Sequence, residues 1–293
     1  ASEASVAAHA SMVSASEFRY GNYRINEKTL CIFVSQSGET ADTLAALKLS
    51  KEEGAQTLSI TNVLGSSLAR LSDFVLYTCA GPEIAVASTK AYTTQLVLLM
   101  CLCLKLTSLF NGNVENKKYM ITQLKEMPKV VEEMLQQEDQ IAKIAKLLTN
   151  QKDAYFIGRQ LDYLSVLEGA LKLKEVSYVH ADAYMAGELK HGPIALIEKD
   201  TVVIALATQP SVAQKTISNI LETVARGAKV ILIASQNQNV EGFEYVIRIP
   251  DVDPMLSCIP ATVLLQEFAY YVAKEKGCDV DKPRNLAKSV TVE

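Results

Sequence analysis

Ser35, Gln36, Ser37 and Thr40 put three hydroxyls and one amide between the apolar run 30–35 and the amphipathic stretch 41–53. A buried parallel strand handing over to a helix has this order, and the turn between them exposes the first unpaired N–H groups of the helix. Neutral donors at such a place suit an anion, most simply a phosphate. Capping of the helix by Ser37 or Thr40, with Glu39 favourable in its first turn, fits the same residues, and their types alone leave both readings open. A second group, Glu168, Lys172 and Glu175, is spaced so that all three share one helical face. An exposed, salt-bridged face is the plain interpretation. The surrounding Val166, Leu167, Ala170, Leu171, Leu173 and Val176 instead describe a largely buried helix, in which charges need partners or a task. Third, His191 lies between Lys190 and Gly192-Pro193 in the charged loop 186–193. A structural histidine is the alternative there, although a Gly/Pro loop is a poor place for a core residue. The C-terminal run 281–293 carries Lys282, Arg284 and Lys288. Termini usually fray, and the low apolar content of this one leaves its order open.

Alternating elements must position these groups. The pattern predicts strand 30–35, helix 41–53 ending at Gly54, strand 57–61, a donor-bearing turn at 62–67, strand 74–78, and a long apolar helix from about 88 to 110. Residues 114–149 read as helical and highly charged, with Pro128 as an interruption or a new helix start, and the domain boundary is placed there. Strand 154–157, helix 163–178, the stretch 180–193, strand 202–207, helix 212–226, strands 230–234 and 245–249, and helix 256–276 complete the chain. Thr29 and Thr201 open matching strands 172 positions apart, and Gly54-Ala55 is answered by Gly227-Ala228. A near-constant offset of this kind describes a duplicated α/β unit, with parallel sheets, helices on both faces, and ligands beyond the carboxyl ends of the strands. Neither a Gly-rich dinucleotide fingerprint nor a Walker A sequence is present, so a nucleotide is not the expected phosphate carrier.

The totals exclude several classes. The chain has 293 residues, 49% of them hydrophobic and 21% charged, enough for two domains and a substantial core. A net charge of -4 without a dense lysine cluster offers no footprint for nucleic acid or an anionic membrane. The longest apolar run, 96–104, is too short to span a bilayer and is expected to be a buried helix. Residues 1–14 have no basic region followed by an apolar core, so a secretory signal is not expected there. Cys31, Cys79, Cys101, Cys103, Cys258 and Cys278 lack metal or redox spacing and are expected to be reduced core residues of a cytoplasmic protein. His9, His180 and His191 are too scattered for a metal site, and no cofactor is implied.

Ser35-Gln36-Ser37-Gly38-Glu39-Thr40, Ala87-Ser88-Thr89-Lys90, residues 168–175, residues 188–193 and the tail 282–293 occur together and in one order. In this the chain closely resembles the isomerase half of the glutamine:fructose-6-phosphate amidotransferase (glucosamine-6-phosphate synthase) family, from residue 15 onward. That half consists of two sugar isomerase (SIS) domains, each a flavodoxin-like three-layer αβα unit. The resemblance implies a first SIS domain at 15–135, a second at 136–277, a C-terminal active-site tail at 278–293, and an altered segment at 1–14. It further implies that Ser35, Gln36, Ser37 and Thr40 hold the phosphate of fructose 6-phosphate, with Ser88, Val86 and Ala287 near the sugar. The residue matching Glu175 is the base that moves a proton between C1 and C2, a task suited to a carboxylate. The one matching Lys288 forms an imine with the open-chain ketose. Lys172 would assist proton transfer, and His191 would open the sugar ring from the other subunit of a homodimer.

Two departures qualify the resemblance. Full-length members begin with a glutaminase domain, for which this sequence has no room, so the expected activity is ketose/aldose isomerisation of fructose 6-phosphate and glucose 6-phosphate, with glucosamine 6-phosphate formed when ammonia is supplied. The family's Gly-Thr-Ser or Gly-Thr-Ala turn would fall at Ser5-Val6-Ala7, in a shortened stretch before Ala15. Two other functions share the fold: a non-catalytic SIS module that senses sugar phosphate, and a fructosamine-phosphate deglycase or sugar-phosphate deaminase. A sensor has no use for Glu175, His191 and Lys288 together, and the tail 282–293 favours the synthase.

Overall fold

The computed structural model describes residues 9–109 and 114–292. The expectations for Ser5-Val6-Ala7 and for most of the segment 1–14 lie outside the described residues. In chain order the elements are α1 (Ala15–Phe18), β1 (Leu30–Ser35), α2 (Ala41–Glu52), β2 (Gln56–Thr61), α3 (Ser67–Leu71), β3 (Phe74–Tyr77), α4 (Lys90–Leu109), α5 (Val114–Leu135), α6 (Glu138–Ala145), β4 (Asp153–Gly158), α7 (Leu161–Ser177), β5 (His180–Met185), β6 (Val202–Ala207), α8 (Ala213–Val224), β7 (Lys229–Ser235), β8 (Tyr245–Ile249) and α9 (Cys258–Glu275). Short 3-10 turns follow α6 and occupy Leu189–His191 and Pro193–Leu196. The chain packs as two compact units, residues 1–117 with 287–293, and residues 118–286. That division falls earlier than the boundary placed at 135, and it gives the tail after Leu286 to the first unit.

Unit 2 holds a five-stranded parallel sheet in the order β5-β4-β6-β7-β8. Counted within the unit this is 2-1-3-4-5, the flavodoxin-like order, with its reversal between β4 and β6. All six residues of β6 are buried, because alternate side chains reach both covered faces. Tyr155, Ile157, Val203, Ala205, Val230 and Leu232 share one face with Ile220 of α8. The opposite set, including Phe156 and Ile204, belongs to the face where α7 packs on α9.

Unit 1 holds a three-stranded parallel sheet, β1-β2-β3. Its helix α2 and the helix α8 of unit 2 stop in the same way. The N–H of Ala55 donates to the Ser50 carbonyl at 3.0 Å and that of Ala228 to the Thr223 carbonyl at 3.2 Å, with Gly54 at φ +83° and Gly227 at φ +90°. Both are left-handed caps that only glycine adopts cheaply, which explains why Gly-Ala recurs at the matching place.

Three expectations need correction, and two elements, β5 and α3, have no counterpart in the sequence pattern. The stretch 180–193 contains β5, an edge strand whose polar alternation and flanking charges hide it. The turn after β2 leads into α3, a helix of five residues, too short to show a period. Pro128 sits inside α5 without ending it; a single missing N–H is a local loss that a 22-residue helix carries. The run 96–104 does form a helix, but α4 is half-buried rather than buried. The cysteines divide accordingly: Cys258 is buried, Cys31 and Cys278 are half-buried, and Cys79, Cys101 and Cys103 are exposed. The counterpart helix α9 is covered by α7, whereas the described residues of unit 1 include no helix in that position.

Candidate active site

The turn after β1 belongs to unit 1. Thr40 is the N-cap of α2, yet its side chain makes no capping bond. Its hydroxyl lies 3.0 Å from that of Ser35, which also accepts the Gly38 N–H at 3.1 Å. Capping by Thr40 therefore does not explain the hydroxyls. Gly38 has φ +68°, and a Cβ there would strike Ser66 and Thr61, so the turn requires glycine. Glu39 is turned away from the anion position: it accepts the Ser67 N–H at 2.8 Å, and its carboxyl is held below the usual range by Ser67, first through that amide. Gln36 is half-buried, and its carbonyl accepts the N–H of Asn62 at 3.1 Å.

The tail is ordered against this turn. Ser289 Oγ is 3.1 Å from Ser37 Oγ, and the Val290 carbonyl accepts the N–H of Ala41, the first residue of α2, at 3.2 Å. Lys288 thereby reaches the bend before α4, where its Nζ donates to the Ala85 carbonyl at 2.8 Å, to Glu83 Oε2 at 3.1 Å and to Ser88 Oγ at 3.4 Å. Glu83 has a side chain only 4% exposed, and it also accepts the N–H groups of Thr89 and Ala91 at 2.8 and 3.2 Å. Burial raises its carboxyl, but these amides, Lys288 and Ser88 outweigh that and hold it below the ordinary value. Val86 and Ala87 form the same bend, and Ala287 is exposed one residue before Lys288.

In unit 2, α7 carries the charged triad. Glu168 and Lys172 are buried. Lys172 Nζ lies 2.6 Å from Glu175 Oε2 and 3.6 Å from Glu168 Oε1, so one ammonium serves two carboxylates. The Gln266 amide of α9 donates to Glu168 at 3.3 Å. Burial pushes Glu168 up to about 7, with the Glu175 charge acting in the same direction and Lys172 against it. Glu175 is partly exposed at 22%, which leaves it reachable by a substrate. His191 stands on a different element, exposed at the end of the 3-10 turn, with its N–H on the Glu188 carbonyl at 3.0 Å.

Thus the structure joins Ser35 to Thr40, Ser37 to the tail, Lys288 to Ser88, and Lys172 to Glu175. Glu83 and Ser289 are the residues that sequence reasoning missed. The signal for Glu83 is a lone carboxylate in the otherwise uncharged bend 80–89. Among the described residues no His/Cys/Asp/Glu group could hold a metal ion, and no helix is long and apolar enough to cross a membrane.

The SIS domain model matches residues 7–105 and 147–272. The glutamine--fructose-6-phosphate aminotransferase [isomerizing] of Caldanaerobacter subterraneus subsp. tengcongensis is 54% identical over 283 residues, which is 95% of this chain and 46% of that protein. The chain therefore spans about half the length of this relative. Among solved structures, the C-terminal domain of glucosamine-fructose-6-phosphate aminotransferase from Francisella tularensis is 40% identical, with a TM-score of 0.88 over 92% of this chain and 77% of that one. A glucosamine-6-phosphate deaminase from Thermotoga maritima is 26% identical, with a TM-score of 0.74 over 94% of this chain and 80% of that one. With both halves of the sequence matched by one domain model, and with three quarters of the Francisella domain covered at this identity, the chain belongs to the SIS domain family, in the group of the aminotransferase C-terminal isomerase domains.

Proposed function

We propose that this chain is the isomerase half of a glucosamine-6-phosphate-forming synthase, acting on fructose 6-phosphate. The observation that carries the reading is the tail folded onto the anion turn of unit 1, which sets the Lys288 amine beside Glu83 and Ser88. A lysine amine that has passed its proton on can attack the ketose C2 carbonyl, with loss of water, to form an imine. Ammonia then displaces the lysine, and transfer of a proton from C1 to C2 gives the 2-amino aldose phosphate. Glu175 is assigned the proton transfer, Lys172 its charge balance, His191 ring opening, and the hydroxyls of Ser35, Ser37 and Thr40 with Gln36 the phosphate. Glu83 is a positioning residue for Lys288. The same reading carries a homodimer with His191 completing the site of the partner subunit, a glutaminase domain as ammonia source in the full-length protein, and a cytoplasmic location. The resemblance and the similar proteins support it.

The test is proton NMR of fructose 6-phosphate in heavy water with this chain, followed for glucose 6-phosphate and for deuterium at C1 and C2. Turnover or exchange that Glu175→Gln lowers about a thousandfold is expected. An unchanged rate in that variant would overturn the assignment. The likeness to the Thermotoga maritima deaminase favours a second reading, amine removal from glucosamine 6-phosphate. Net ammonia release from that compound in preference to its formation would establish the second reading instead.

A further inference from the structure

The turns after β1 and β6 are two copies of one device. Thr40 and Val212, 172 positions apart, are the N-caps of α2 and α8, so Gln36, Ser37 and Gly38 correspond to Thr208, Gln209 and Pro210. In unit 2 the turn is filled from inside. The N–H groups of Thr208 and Gln209 donate to Asp162 Oδ2 at 2.7 and 3.3 Å, and the Thr208 hydroxyl donates to Oδ1. Asp162 is 1% exposed and is the second residue of α7, the helix that follows β4. The donors are fixed in turn: Gln209 Nε2 donates to Ser257 Oγ at 2.8 Å and to the Pro254 carbonyl at 3.1 Å. Asp162 thus sits beyond the carboxyl ends of β4 and β6, where the strand order of unit 2 reverses and open parallel sheets take their ligands.

We propose that Asp162 is a built-in oxyanion that occupies the second copy of the anion turn, directing external phosphate to the copy at Ser35–Thr40 in unit 1. The two amides and one hydroxyl that meet its carboxylate are the coordination a bound oxyanion asks for. Val212 in place of Thr40 removes a hydroxyl that a free anion would use but a tethered carboxylate does not need. This inference rests on the repeat and its hydrogen bonds, and it stands whether or not the chain has the proposed activity.

Thermal unfolding of the parent chain, Asp162→Ala and Asp162→Asn in chloride, formate and phosphate at matched ionic strength tests it. Asp162→Ala leaves a vacancy of carboxylate size, so its unfolding midpoint should rise by about 4 °C or more in formate relative to chloride. The parent and the isosteric Asp162→Asn, with no vacancy, should show no such difference. A rise in phosphate as well extends the vacancy to tetrahedral anions. Asp162→Ser is measured in the same way in case the alanine variant does not fold in chloride. Equal midpoints in all three salts for both alanine and serine variants would overturn the proposal, as would the same formate response in the parent.

Discussion

Strands β1 and β6 are both largely apolar and have different surroundings. LCIFVS in unit 1 leaves Leu30, Ile32 and Val34 at about 40% exposure, whereas VVIALA in unit 2 is buried throughout. The difference lies in the neighbours: β6 is flanked by β4 and β7, and β1 pairs with β2 alone among the described residues. Apolar character sets what a strand can bury, and topology sets what it does bury. The turns that follow show the same lesson in polar form, since one copy keeps its hydroxyls facing one another and the other is filled by Asp162.

The two units can be set against each other by substitution. The largest effect is the loss of exchange in Glu175→Gln, the proposed base on α7 of unit 2. Next, Ile204→Ala in the buried strand should cost about 2–5 kcal/mol in chemical denaturation, whereas Ile32→Ala on β1 should cost under about 1 kcal/mol. Equal costs would mean that β1 is covered in solution. Thr40→Val, which gives unit 1 the residue found at 212, should raise KM for fructose 6-phosphate about tenfold through a lost hydrogen bond to a charged group. Thr208→Val should leave KM unchanged and lower stability by about 1–3 kcal/mol, since Asp162 loses a donor.

The smallest effect is in pH. Burial raises Glu168 to about 7 from 4.5, so the folded state holds that proton longer than the unfolded chain. Its contribution to stability is full below pH 4.5 and is lost as pH rises through 7. Asp73 in unit 1 is held at about 2, first by Lys51 and then by Thr57, and it acts in the opposite sense: its contribution is present above pH 3.8 and lost as pH falls through 2. Glu168→Gln should flatten the decline in unfolding midpoint between pH 4.5 and 7. A slope unchanged by that substitution would show that Glu168 does not carry it.

Much of this was legible because it is local. β1, β6 and β8 have the bounds that their apolar runs describe, and the helices α2 and α8 end at the glycines that mark them. The buried face of α7 follows from its apolar neighbours despite three charges. What escaped was non-local or short. β5 is an edge strand whose His180, Asp182 and Tyr184 give it no apolar face to mark it until β4 pairs with it. Glu83 gains its meaning from Lys288, and Ser37 from Ser289, partners that only folding brings near. The partial exposure of α4 depends on which helix covers it, and a hydropathy pattern does not record its neighbour.

The anchoring of the tail also sets an order of events during synthesis. Lys288 follows every other assigned residue in the sequence, so α2, α7 and their turns have left the ribosome while the amine is still in the exit tunnel. Until it emerges, Glu83 is a buried carboxylate without its cation, and the first residue of α2 lacks the carbonyl of Val290. Both sheets can therefore be in place before the tail docks, and docking of the tail is a separate step that gives Glu83 its cation.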